Sequence, residues 1–305
     1  MIGFILQYLN TLCPGIHSHN IVLLEIISGE YLRIGVVIKF GSESATILGK
    51  EVLEYAESIG ISAYLDSSFK NLEWSKRFTV GEDNVDYIVV IGGNGTVLRT
   101  LHRLGNKTIP IVTIRHGKRG FLCDVMPFEY RYALNNLISG RFRIVKYMRL
   151  EAEVRGRKVP YALNDYVITT TGPWRSKVAR IIVYRDDVPI YTLVGDGVIV
   201  CPPAGSTAYN LAAGGPVVDP TLEVIIVTPL APITFCSRSV ILPPNTTIKV
   251  RLLRDSPPLV LIGDGAVTIE LSPGDEVLIR RAPVPAYFVR FKIGEYYVKL
   301  FERCM

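Results

Sequence analysis

The segment at residues 88–100, IVVIGGNGTVLRT, constrains the fold more than any other part of the chain. It begins with an apolar run that predicts a buried strand, and Val97, Leu98 and Leu101 follow at helical spacing. The glycines between the two allow a tight bend that leaves backbone N–H groups at the start of a helix, where anions bind. Glycine-rich strand–helix turns also arise for steric reasons alone. The segment therefore predicts an α/β sheet and leaves open whether its turn binds phosphate.

The pattern of apolar residues divides the chain into an α/β part and an all-β part. After residue 147, short strand-like runs separated by Pro and Gly dominate, which favours an antiparallel sandwich. One helix is predicted there, at residues 206–213, with Ser206 or Thr207 as its N-cap. In the first part the pattern predicts strands at residues 33–40, 87–91 and 109–114, and helices at residues 44–59 and 130–138.

Composition excludes several classes of function. With 49% hydrophobic residues and a mean hydropathy of +0.29, the chain is globular rather than disordered. It lacks an apolar run of the roughly 18 residues needed to cross a bilayer, so a cytoplasmic protein is expected. A scattered net charge of +6 without a nucleic-acid-binding motif argues against nucleic acid as partner. The 5 cysteines and 4 histidines show no metal-ligand spacing, and a single glutamine among many Ile, Val, Tyr and Arg residues resembles the composition of thermophile proteins.

A second motif, GDGVIVCPPAGSTAYNLAAGGPV at residues 195–217, combines with the first into a more specific pattern. GGxGT followed by GDG…GSTAY…GGP resembles the NAD kinases, and the first motif alone is more distantly similar to diacylglycerol-type lipid kinases. Further blocks resemble that family in the same order, and the resemblance extends over roughly residues 33–301. These blocks are residues 117–122, Asn164-Asp165, residues 229–243 and Asp264-Gly265.

The resemblance implies a fold of two domains. The first is a Rossmann-like parallel-sheet domain at residues 31–146, completed by residues 286–305 from the end of the chain. The second is an all-β sandwich at residues 147–285 that binds NAD. Residues 1–30 form an extension whose order the sequence does not assign.

The resemblance also implies an activity and a set of site residues. NAD kinases transfer the terminal phosphoryl group of ATP, or of polyphosphate, to the adenosine 2′-hydroxyl of NAD with the help of Mg²⁺, and they form homodimers or homotetramers. No protein metal site is expected, and Asp264 is expected to form a hairpin turn rather than to bind a ligand. The phosphate or ATP contacts would be Gly92, Gly93, Gly95, Thr96, Arg115 and Lys118, with N–H groups of Gly93, Gly95 and Thr96 on the phosphate. The NAD contacts would be Leu98, Phe121, Asn164, Asp165, Asp196, Thr207, Ala208 and Tyr209.

Asn94 occupies the catalytic position of the family motif, where NAD kinases carry the aspartate that is the expected base. An amide cannot accept the hydroxyl proton at neutral pH, although it can orient the hydroxyl. Three explanations remain open. Another carboxylate supplies the base, the protein binds nucleotide without efficient turnover, or the deamidation-prone Asn94-Gly95 pair converts to aspartate. The candidate carboxylates are Asp124, Asp165 and Asp196.

Other departures from the family pattern leave further alternatives open. Pro202-Pro203-Ala204 replaces a Thr-Pro-Thr sequence, and Arg115 and Arg119 replace an asparagine and a leucine. With Lys118, these arginines predict either a more anionic ligand, such as retained NADP⁺, polyphosphate or another phosphorylated acceptor, or ordinary surface charge. A kinase for a different polyol and a noncatalytic partner of another NAD kinase are the alternative functions.

Overall fold

The computed structural model describes residues 32–117, 121–233 and 236–292, together with residues 298 and 300. The predicted extension at residues 1–30, as well as Lys118 and Arg119, lie outside the described residues. The described chain forms one seven-stranded sheet and two six-stranded sheets. The expected fold class, a parallel α/β domain joined to an all-β sandwich, is confirmed.

The first sheet combines strands from both ends of the described chain. Its strands are β1 (Arg33–Ile38), β2 (Ser62–Asp66), β3 (Arg77–Phe78), β4 (Tyr87–Gly92), β5 (Ile111–Arg115), β6 (Arg143–Tyr147) and β19 (Ala286–Arg290). They lie in the order β3-β2-β1-β4-β5-β19-β6. All neighbouring strands are parallel except β6, which runs antiparallel to β19. Because β19 lies between β5 and β6, the last described strand completes the sheet built by the first part of the chain.

Three helices cover the two faces of this sheet. Helices α1 (Glu43–Ser58) and α3 (Tyr130–Ile138) pack on one face, and α2 (Asn94–Leu104) packs on the other. Ser42 caps α1, because its Oγ accepts a hydrogen bond from the Ala45 N–H at 3.3 Å. No helix within the described ranges is long and apolar enough to cross a membrane.

The remaining strands form two antiparallel sheets that share one core. The strands are β7 (Leu150–Val154), β8 (Arg157–Ala162), β9 (Tyr166–Thr169), β10 (Ala179–Arg185), β11 (Val188–Gly195), β12 (Gly197–Cys201), β13 (Ile225–Leu230), β14 (Val240–Leu242), β15 (Ile248–Leu252), β16 (Leu259–Gly263), β17 (Val267–Leu271) and β18 (Glu276–Arg281). One sheet has the order β11-β10-β15-β18-β7-β8 and the other β14-β13-β12-β9-β16-β17. Alternate residues of β10 and β12 meet in the shared core, which is the packing of a β-sandwich.

The helix predicted at residues 206–213 is wrong as a continuous element. Pro203–Thr207 forms a 3-10 helix, and Tyr209–Ala212 forms a single α-helical turn, α4. Ala208 separates them with φ −92° and ψ −130°, a backbone conformation that is not helical. Neither Ser206 nor Thr207 is an N-cap, since α4 follows Ala208 without a side-chain cap, and the buried Ser206 hydroxyl bonds the backbone of Val218 instead.

Candidate functional site

The glycine corner, residues 92–96, lies where β4 ends and α2 begins. Gly92 pairs with Arg115 of the neighbouring strand β5, so both lie at the carboxyl edge of the sheet. The N–H groups of Asn94 and Gly95 are in the first turn of α2 and have no acceptor within the helix. A helix N-terminus of this kind stabilises a bound anion.

Thr96 makes contacts within the glycine corner itself. Its N–H donates to the Gly93 carbonyl at 3.0 Å, and its side chain is buried against Gly92. A Cβ on Gly92 would lie 2.4 Å from Thr96 Oγ1, so the corner requires glycine at this position. The Thr96 N–H therefore has a backbone acceptor in this structure and its contact with phosphate stays a prediction, whereas Gly95 is exposed.

Asn94 fixes the glycine corner to the chain that follows β5. Its Oδ1 accepts a hydrogen bond from the Leu122 N–H at 3.2 Å, and the half-buried Phe121 precedes that residue. A carboxylate at position 94 would accept the same hydrogen bond. Leu98, predicted to contact NAD, is buried in the apolar cluster that contains Leu122 and Leu163.

A cleft of about 660 Å³ lies in the sandwich domain and is bounded largely by polar side chains. Ligand sites commonly have volumes of about 300–1,000 Å³. The cleft brings together five of the predicted NAD contacts, which are Asn164, Asp165, Asp196, Ala208 and Tyr209. Thr207 is half-buried next to Ala208 and is not part of the wall. The other wall residues carry no motif that predicts ligand contact: Val167, Thr169, Thr170, Arg175, Ile262, Asp264 and Gly265.

Close backbone contact joins the GSTAY turn to the loop at residues 163–165. A Cβ on Gly205 would lie 1.6 Å from the Asn164 carbonyl oxygen, so only glycine fits there. Asn210, which is fully buried, donates from Nδ2 to the carbonyl oxygens of Ser206 (3.1 Å) and Pro216 (3.0 Å). The GSTAY and GGP motifs are thus held together by a buried side chain that the sequence analysis did not single out.

Asp264 forms the predicted hairpin turn between β16 and β17, with φ +48°, and it also clamps the 163–165 loop. Its carboxylate is fully buried and accepts the N–H groups of Leu163 (3.0 Å), Asn164 (2.7 Å) and Asp165 (3.2 Å). The same carboxylate lies 2.9 Å from Nε2 of His102 on helix α2. One buried carboxylate therefore joins the cleft wall to the helix that begins at the glycine corner.

The three carboxylates considered as bases occupy different environments. Burial, together with the nearby charge of Asp264, raises the pKa of Asp165 to about 7. Asp196 is exposed, and its carbonyl oxygen accepts the Thr169 hydroxyl at 2.8 Å. Asp124 accepts the Phe291 N–H at 2.9 Å and does not line the cleft. The cleft thus contains two of the three candidates, Asp165 and Asp196.

The cleft residues that were not predicted differ in how clearly the local sequence marks them. Thr169 and Thr170 end the strand-like run YVITT at residues 166–170, so their place at a strand end was within reach of the pattern. Arg175 lies in a short 3-10 helix, Gly172–Ser176, that carries no motif. His102 resembles any polar residue of an amphipathic helix, and only the tertiary structure reveals its contact with Asp264.

The fold and the cleft together place this chain among nucleotide-binding proteins that combine a parallel-sheet domain with a β-sandwich. The ATP-NAD kinase N-terminal domain matches residues 34–142, and the ATP-NAD kinase C-terminal domain matches residues 163–291. An NAD kinase of Aeropyrum pernix is 36% identical over 276 residues, which cover 89% of this chain and 98% of that protein. The chain belongs to the NAD kinase family.

Two solved structures agree with the fold. An NAD kinase from Archaeoglobus fulgidus in complex with ATP has a TM-score of 0.72 and 26% identity, covering 89% of this chain and 98% of that one. Yeast NADH kinase complexed with NADH has a TM-score of 0.80 and 21% identity, covering 90% and 87% of the two chains. At that lower identity the similarity concerns the fold alone.

Proposed function

We propose that this chain is an NAD kinase, which transfers the γ-phosphoryl group of ATP to the adenosine 2′-hydroxyl of NAD⁺ and forms NADP⁺. The observation that carries the proposal is the assembly of Asn164, Asp165, Asp196, Ala208 and Tyr209 around one cleft in a chain that both family domains match. These residues come from separate segments, and the fold brings them together.

The glycine corner is the proposed site of the phosphoryl donor. The N–H groups of Asn94 and Gly95 at the start of α2 supply positive potential for a triphosphate, and Arg115 ends the neighbouring strand. Mg²⁺ is proposed to enter as part of the ATP substrate, because phosphate oxygens are its preferred ligands. The ATP in the Archaeoglobus fulgidus relative supports ATP as the donor over polyphosphate.

The cleft is the proposed site of the dinucleotide. Tyr209 is about half exposed at the cleft and offers its ring for stacking on a base. Asn164 and Asp165 provide the amide and carboxylate groups that recognise sugar hydroxyls. Of the two carboxylates in the cleft, we favour Asp165 as the proton acceptor, since a general base works best with a pKa near the operating pH.

The test is the formation of NADP⁺ by the purified protein with ATP, Mg²⁺ and NAD⁺, measured with an NADP-specific dehydrogenase. Parallel reactions with polyphosphate and with NADH identify the donor and the acceptor. Asp165→Asn is expected to lower kcat, and Asp196→Asn, which changes the other carboxylate of the cleft, shows whether the loss is specific to Asp165. Binding of NAD⁺ without any NADP⁺ formation would favour a noncatalytic role caused by Asn94.

The assembly and location are proposals as well. Leu211 and Val217 are exposed apolar side chains near the GSTAY turn, and their exposure supports a homodimer or homotetramer. Light scattering after size-exclusion chromatography tests that expectation. The buried Cys201 is a thiol rather than half of a disulfide, which supports a reducing, cytoplasmic compartment. The thermophile-like composition predicts a high melting temperature.

A further inference from the structure

His102 joins the two halves of the molecule. It lies on α2, two turns beyond Asn94, and its Nε2 is 2.9 Å from Asp264 Oδ2 in the β16–β17 hairpin of the sandwich. The side chains are 12% and 0% exposed, so water competes little for this contact. The interaction therefore crosses from the α/β domain to the cleft wall in a largely dry environment.

Helix α2 links the position of the glycine corner to the position of the 163–165 loop. Its first residue belongs to the glycine corner, and His102 lies about 12 Å further along the helix axis. Asn94 is tied to the Leu122 N–H at one end, and His102 is tied to Asp264 near the other end. Because an α-helix is stiff over this length, fixing His102 fixes where the glycine corner lies relative to the 163–165 loop.

A second anchor holds the end of the same helix. Arg149, which is buried, donates from Nη2 to the Gly105 carbonyl (3.0 Å) at the C-cap of α2 and from Nε to the Val284 carbonyl (2.9 Å). Arg149 and Val284 lie where the chain passes between the two domains. Arg149 thus holds the C-terminal end of α2 in place when His102 is substituted. His102 provides the separate contact between the side of α2 and the cleft wall.

We propose that His102 is a positioning residue for phosphoryl transfer, one that aligns the donor at the glycine corner with the acceptor hydroxyl in the cleft through Asp264. The inference rests on the proposed NAD kinase activity. In-line transfer depends on the placement of two substrates bound to different domains, and a misplacement of about 1 Å can cost a factor of about 10² in rate.

Loss of His102 is expected to affect the alignment of the two bound substrates more than the affinity for either of them. Asp264 keeps its three hydrogen bonds to the 163–165 loop, because all of these lie within the sandwich domain. The glycine corner likewise keeps its own N–H groups and its link to Leu122. Each substrate site survives, while the polar contact between α2 and the cleft wall is lost, so that Arg149 and the apolar cluster of Leu98 and Leu163 hold their relative position less tightly.

His102→Leu removes the contact, and His102→Gln retains an amide that can donate to Asp264. We expect kcat of His102→Leu to fall about 10-fold to 100-fold, while KM for NAD⁺ and for ATP stays within about twofold of wild type. His102→Gln should recover most of the lost kcat. If His102→Leu does not fold, His102→Asn replaces it, because the shorter amide stops short of Asp264.

Arg103→Gln is the matched control on the same helix. Arg103 pairs with the buried Asp66 of β2 through Nη1 (2.5 Å) and Nη2 (2.8 Å), entirely within the α/β domain. Its loss should lower the melting temperature and leave kcat and KM unchanged at temperatures well below melting.

Each outcome has a separate meaning. A lowered melting temperature with unchanged kcat in His102→Leu overturns the positioning role and leaves a stabilising contact. A raised KM for NAD⁺ with unchanged kcat overturns it too, since His102 would then act on acceptor binding. A wild-type chain that forms no NADP⁺ overturns the proposed function itself, whereas active wild type with an unaffected variant overturns only the role of His102.

Discussion

The glycine corner is built from five consecutive residues, whereas the 163–165 loop is held by a carboxylate about one hundred residues further along the chain. The corner uses backbone N–H groups at a helix start and contains no carboxylate. The loop depends on Asp264, a buried charge with backbone donors on one side and His102 on the other. Backbone geometry thus forms one site, and a buried hydrogen-bond network forms the other, so the two should respond differently to substitution.

Asp264→Ala should produce the largest effect on stability. It leaves His102 and three backbone N–H groups of the cleft wall without their acceptor, and breaking a buried pair in this way costs about 3–5 kcal/mol. Chemical unfolding with guanidinium measures the loss. Asp255→Ala, in an exposed pair with Arg180, is the control and should change stability by less than about 1 kcal/mol. An equally small change for Asp264→Ala would mean that the loop does not depend on the clamp.

Asp165 should make the protein less stable as the pH rises. Its pKa is about 7 in the folded state, against 3.8 for an ordinary exposed aspartate, so the folded protein retains the proton longer than the unfolded chain. This contribution is favourable at low pH and is lost as the pH rises toward 7, by about 3 kcal/mol between pH 5 and pH 8.

Asp165→Asn should flatten this pH dependence because the amide does not titrate. Unfolding at pH 5 and at pH 8 measures the change, and Asp196→Asn, an exposed carboxylate of the same cleft, should retain the wild-type slope. A variant of Asp165 with the same slope as wild type would contradict a buried, proton-retaining carboxylate.

Asn94→Asp tests whether the aspartate found at this position in NAD kinases fits the glycine corner and raises kcat. The carboxylate can keep the hydrogen bond from the Leu122 N–H and adds a group able to accept the 2′-hydroxyl proton. Because Asp165 is the proposed base, we expect kcat to rise by less than about tenfold, below the roughly 10²-fold to 10⁴-fold that general-base catalysis contributes. Mass spectrometry of wild type must show intact Asn94, since deamidated protein would mimic the variant. A rise of about 10²-fold or more would contradict Asp165 as the base, because it would show that the wild-type chain lacks one.

Tyr209→Ala should act on binding rather than on catalysis. Stacking of a base on an aromatic ring contributes about 1–3 kcal/mol, so KM for NAD⁺ should rise about tenfold or more. Tyr209→Phe keeps the ring and should bind NAD⁺ as wild type does. A lower kcat at unchanged KM would instead place Tyr209 beside the transferred phosphoryl group.

Much of the fold was predictable because its signals are local. Strands β1 and β4 are recognisable from their runs of β-branched residues, and α1 is recognisable from the regular spacing of its apolar residues. Strands β2 and β3 escaped prediction, since SAYLD and the two residues Arg77–Phe78 are too short for a periodic pattern. The prediction of one continuous helix at residues 206–213 was wrong because buried side-chain hydrogen bonds determine the conformation of that segment. Ser206 bonds the backbone of Val218, and Asn210 bonds the carbonyl groups of Ser206 and Pro216.

The sequence by itself determined the family, the division into two kinds of domain, and five of the twelve residues that line the cleft, because motifs and periodicity are properties of neighbouring residues. Only the tertiary structure decided that Asp264 clamps the 163–165 loop, that Asp165 has a pKa near neutral, and that His102 reaches across the domains. Burial and electrostatic coupling depend on which distant groups fold together, and no local pattern encodes that juxtaposition.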